Sequence, residues 1–139
     1  MSELLFWTYL VNAVLLINHE IDSAYWREWN LFRSRPSATA AEDRRDLTLF
    51  LLFHLPVVAL FLWGLLEVHS VSLTGLILSL VLSGAGIAAF AIHMVFIRRG
   101  HREFVIPISL AILGGTLVVS MVQAGATIAL LVQRPGGVA

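Results

Sequence analysis

The chain has 139 residues, room for one domain, and its 58% hydrophobic and 13% charged residues depart from the roughly 45–50% apolar and about 25% charged residues of soluble proteins. Its formal net charge is zero, so it lacks the basic surface that a nucleic-acid partner needs. It contains no cysteine, and all nine of its basic residues are arginine. Disulfides, thiolate metal sites, iron–sulfur clusters and lysine Schiff bases are thereby excluded.

The first apolar segment covers residues 4–21. Nothing basic precedes it and no small-residue cleavage site follows, so it is read as a retained span and not as a removed signal. Three more apolar segments, at 47–66, 73–97 and 104–132, reach the roughly 20 residues that cross a bilayer. The alternation of a barrel is absent, which leaves helices as the spanning form. In the connection after the first span, Tyr25, Trp29 and Phe32 recur at i, i+4 and i+7, while Arg27, Glu28 and Arg33 fall elsewhere. That spacing predicts a short amphipathic helix over residues 23–34, lying in the membrane interface. Arg35-Pro36 ends it, and Ser37 is the expected cap of a new approach running through Glu42 and Arg45 into the second span. The fold class is therefore an all-α integral membrane protein, a four-helix antiparallel bundle with one interfacial helix between the first two spans.

Arginine placement orients this bundle. Arg27, Arg33, Arg35, Arg44 and Arg45 lie in the first connection and Arg98, Arg99 and Arg102 in the third, whereas the remaining ends carry Arg134 alone. The positive-inside rule then puts both termini outside, in the periplasm of a bacterial inner membrane, and the arginine-bearing connections in the cytoplasm.

Polar residues within the spans form stripes. Thr8, Asn12, His19 and Ser23 share a face of the first helix, and Ser79, Ser83, Gly86, Ala89 and His93 share one on the third. Ser109, Thr116, Ser120, Gln123 and Thr127 do the same on the fourth. By helical rise, His54 lies about 12 Å inward of Asp46 and His93 about 8 Å inward of Arg98. Pro56 removes a backbone donor beside His54 and is expected to kink the second span there. Three helices thus bring His19, His54 and His93 to one cytoplasm-proximal depth. Glu20, Asp22, His101 and Glu103 stand near the same rim, while His69 belongs to the other side.

Each feature also has a plain structural explanation. His19 and Asp22 can end a helix in water, His54 can be a satisfied core histidine, the small-residue stripe can serve packing, and the aromatics can form an interfacial belt. Their joint placement points further, since ionisable groups at membrane depth are costly. His19, His54 and His93, completed by Glu20 or Asp22, would suit zinc or non-haem iron. His54 and His93 could alternatively be axial ligands of a haem. Without metal, His19 with Glu20 or Asp22 could carry acid–base catalysis on a lipid-like substrate. A non-catalytic accessory subunit, docked in a homo-oligomer or a larger membrane complex, is the competing reading. A small antiparallel-pairing exporter is disfavoured by the steep arginine bias and by Asn12 in place of a deep acidic residue.

The segment His19-Glu20-Ile21-Asp22-Ser23-Ala24-Tyr25-Trp26-Arg27-Glu28-Trp29-Asn30-Leu31-Phe32 resembles one carried by a group of small, uncharacterised bacterial four-span membrane proteins. The resemblance implies a bacterial membrane location and marks this segment for attention. It carries no catalytic residues over.

Overall fold

Apolar segments this long must satisfy their backbone polar groups internally, and in the computed structural model they do so as helices. The structure describes residues 1–32 and 39–134. Among these residues are four helices long and apolar enough to cross a membrane: α1 (Ser2–Tyr25), α2 (Ala40–His69), α3 (Leu73–Arg98) and α4 (Pro107–Gln133). Two short 3-10 helices, Glu28–Phe32 and Arg102–Val105, lie in the first and third connections.

The single helix expected over residues 23–34 is interrupted within its described part, residues 23–32. Residues 23–25 finish α1, and the chain then breaks at Arg27, whose φ of 53° is left-handed. It resumes as the 3-10 turn Glu28–Phe32. No glycine, asparagine or proline announces this reversal, so hydropathy periodicity ran straight through it. The expected terminator at 35–36, the cap Ser37 and the side chains of Phe32 and Glu103 lie outside the described residues. The helix start that is described uses Thr39. Its hydroxyl accepts from the Glu42 amide at 3.2 Å, and the Glu42 carboxylate accepts from the Thr39 amide at 3.2 Å. This is a reciprocal capping box, legible as Thr-x-x-Glu.

α2 and α3 each end in a turn with a left-handed residue. After α3 that residue is Gly100, at φ 97°, with the His101 amide reaching back to the Phe96 carbonyl. After α2 it is Val71, at φ 52°, with Ser72 bonded to Glu67 and Val71 to Val68. Glycine takes this conformation freely, whereas a β-branched side chain is strained in it. Val71→Gly is expected to raise the stability of the purified protein by about 1 kcal/mol in detergent melting. An unchanged or lower stability would mean that packing of the Val71 side chain offsets the strain.

α4 packs against α1 and α3, and α2 closes the other side of the bundle against the same two helices. The apolar core gathers Leu5, Tyr9, Leu16, Val68, Leu76 and Leu82 toward the end that holds the termini. Beside it runs a buried polar seam. Asn12 donates to the Gln123 side-chain oxygen at 2.8 Å, and Gln123 donates to Ser79 Oγ at 2.9 Å and to its carbonyl at 3.0 Å. Ser79 in turn bonds Thr127 at 2.8 Å, and Ser120 donates to Asn12 at 3.2 Å. The three expected stripes therefore meet in one interior, as interhelical glue of the kind membrane bundles use. Gly86 is part of this contact: a Cβ there would collide with Ser120 and stand 2.9 Å from Thr116 Cγ2.

α2 is the least embedded helix. Its buried residues are Asp46 near one end and Gly64 and Val68 near the other. Leu51, Leu52, Phe53 and Leu55 between them are exposed. Pro56 lies within α2, which continues as a helix on both sides of it.

Candidate metal centre

At the end of the bundle away from the termini, α1 and α3 bring two imidazoles together. His19 and His93 meet edge to face with ring centroids 4.7 Å apart. Both are buried, at 6% and 2% exposure. The 3-10 turn that follows Arg27 then folds a carboxylate back onto them. Glu28 is 7% exposed, and its Oε1 stands 3.4 Å from His93 Nε2. One ligand atom from each of His19, Glu28 and His93 lies within 4.8 Å of the others. Ligands about 2.1 Å from a tetrahedral zinc stand about 3.4 Å apart, the separation of Glu28 Oε1 and His93 Nε2, and the other pairs lie within 4.8 Å.

The ring of His93 is oriented from behind. Its Nδ1 is 2.9 Å from the Ala89 carbonyl, which can only accept, so Nδ1 carries the hydrogen and Nε2 is presented to Glu28. Metal-binding histidines are commonly held in this way. Phe104, brought in by the 3-10 helix Arg102–Val105, packs edge-on under the ring at 4.8 Å between centroids. Glu28 lies beyond the end of α1, where opposing effects act on its carboxyl. Burial pushes its pKa up, but the hydrogen bonding and charge of His93, with the charge of His19, outweigh burial and hold it below the usual range. An ionised carboxylate is the form that a metal would require.

A cavity of about 370 Å³ opens from this cluster, lined on its polar side by His19, Glu20, Glu28 and His93 and elsewhere by Trp29, Phe50 and the small residues of α3. The three side chains that could hold a metal therefore face a space with room for water or a small group, the arrangement that catalytic metal sites require.

The structure distributes the expected site residues over three places. His19 and His93 sit together, and Glu28 accompanies them where Glu20 or Asp22 was expected. His54 is outside this group: its Nε2 is 2.8 Å from Glu20 Oε2, and its Nδ1 is bound at 2.6 Å to the Phe50 carbonyl. Glu20 lines the cavity but is engaged by His54. Asp22 turns to α4, where Ser109 donates to it at 2.6 Å. His101 packs near Phe96, and His69 lies against Phe6 at the opposite end. Glu28 is the residue that sequence reasoning missed, because helical periodicity assigned it to the solvated face of an interfacial helix.

A small helical bundle with a buried His–Glu–His cluster at one end defines the class. The chain belongs to the family of unknown function DUF6713, whose pattern matches residues 5–130. No curated protein and no solved structure shows a significant match to it.

Proposed function

We propose that this is a bacterial inner-membrane protein that binds one divalent transition metal, zinc or iron, through His19, Glu28 and His93, and uses it in chemistry on a lipid-like substrate. The observation that carries the reading is the convergence of three buried ligand atoms within 4.8 Å beside an open cavity. Two imidazoles and a carboxylate suit either metal, and such a centre activates a bound water or polarises a substrate oxygen. In this arrangement His93 is fixed by Ala89, Glu28 contributes the charge, and the apolar walls formed by α3, Trp29 and Phe50 limit the water around the reacting group. Haem fits less well, since His54 and His93 each already face a carboxylate.

Protein purified from cells supplied with zinc and iron is expected to hold about one equivalent of metal per chain by elemental analysis. Metal-free protein from such cells would overturn the reading. A second reading then has its own support: each of the pairs His93–Glu28 and His54–Glu20 places an imidazole nitrogen against a carboxylate oxygen, the arrangement used for proton transfer.

The metal centre belongs on the cytoplasmic side in this proposal, with both termini periplasmic, because eight of the nine arginines fall in the two connections at that end. A C-terminal reporter that works only in the cytoplasm should be silent. Full reporter activity would invert the orientation and move the centre to the outer side.

A further inference from the structure

A second cavity, of about 310 Å³, lies between α1 and α2. Its walls are Ile17, Ile21 and Ala24 from α1 and Phe50, Leu51, Val57, Val58 and Phe61 from α2, and its polar groups are Glu20 and His54. It adjoins the metal cavity, because Glu20 and Phe50 line both. α2 is buried near its two ends and exposed along its middle, so this groove opens sideways between helices of membrane-spanning length.

We infer that this groove binds a single-chain amphiphile with a neutral hydrogen-bond-donating head, of the long-chain alcohol type, its head at Glu20 and its chain along Val57, Val58 and Phe61. The inference deepens the proposed function and rests on it where it names the substrate class; the binding itself needs no metal. Eight of the ten lining residues are apolar, which suits a hydrocarbon chain in a setting where lipid is the surrounding solvent. The polar groups define the head. His54 Nδ1 is spent on the Phe50 carbonyl and Nε2 on Glu20 Oε2, so the pair has no ring donor left. What remains is the second oxygen of Glu20, an acceptor. A hydroxyl can donate to it and keep its own oxygen toward the neighbouring cavity. An ionised carboxylate or phosphate head would have no hydrogen to donate to that oxygen and would bring its charge toward Glu28, which lines the adjoining cavity.

The test is native mass spectrometry of the detergent-purified chain with hexadecanol, palmitate and hexadecane, before and after chelator treatment. Hexadecanol should bind at one per chain with or without metal, and palmitate and hexadecane about tenfold more weakly, since one hydrogen bond to such an acceptor is worth up to roughly that factor. Val58→Trp, which fills the groove away from the proposed ligands, should abolish hexadecanol binding and leave metal content unchanged. Equal binding of all three compounds, or preference for palmitate, would overturn the head-group assignment. Undiminished hexadecanol binding by a folded Val58→Trp variant would overturn the site. Absence of metal alone would overturn only the proposed chemistry.

Discussion

Glu28→Ala is expected to lower metal affinity by more than about 100-fold, while His54→Ala retains a full equivalent. Residues that merely support a metal ligand cost roughly 10- to 100-fold when removed, and the loss of a ligand should exceed that. Glu28 supplies the only carboxylate of the three-residue group. His54 is paired with Glu20 and reaches the cluster through no described contact, which makes it the matched control from the same end of the bundle. Equilibrium dialysis with cobalt or zinc reads both variants. If His54→Ala lost the metal and Glu28→Ala kept it, the ligand set would be the one expected from helical depth, and the close approach of Glu28 would be structural. His93→Ala offers a third comparison, since it removes both the ligand and the atom that faces Glu28.

Gly75→Ala should cost about 3 kcal/mol or more, the upper end of the usual penalty for overpacking. Gly75 sits in the first turn of α3 against the last turns of α2. A Cβ there would run into the Glu67 carbonyl group and come to 2.6 Å from the Val68 amide nitrogen. These are backbone atoms and cannot swing aside as a side-chain end can. The contact is further fixed by Ser72, whose side chain bonds Glu67 and accepts from the Gly75 amide at 2.9 Å. Gly84→Ala is the control, because its Cβ would meet nothing within 4 Å. It should change stability by less than about 1 kcal/mol, on the favourable side, since alanine is the better helix former. Equal melting of the two variants in detergent would show that the α2–α3 turn relaxes more easily than its contacts imply.

Much of the bundle was legible because hydrocarbon leaves the backbone few options. Four apolar segments gave four helices, and the stripes containing Asn12, Ser79 and Gln123 gave the interior they share. Depth and direction together anticipated that His19 and His93 meet, since both lie on stripes whose direction is visible in the sequence. His54 had depth without direction. Few polar neighbours mark an inner face on α2, so nothing in the sequence said that its ring would turn to Glu20. Glu28 was hidden by a different cause, a chain reversal at Arg27 in a left-handed conformation that ordinary residues seldom announce. Asp22 is a candidate in the sequence as an ionisable group beside His19, and its partner Ser109 on α4, 87 residues away, is not legible there.

The polar seam bears on the His19–Glu28–His93 cluster from a distance. Asn12 and Gly86 face each other across α1 and α3, with Asn12 Oδ1 only 3.4 Å from the place a Gly86 Cβ would take. His19 follows Asn12 by seven residues, and His93 follows Gly86 by seven. In a bundle of antiparallel neighbours α1 and α3 run the same way, so both histidines lie two helical turns, about 10.5 Å, along from one shared contact. Equal steps bring equal height and equal angular drift, and the rings meet as a result. Gln123 and Ser120 hold Asn12 in that contact from α4. The seam is therefore a vernier for the site: sliding or rotating one helix by a single residue would break its hydrogen bonds and draw the two imidazoles out of alignment in the same movement.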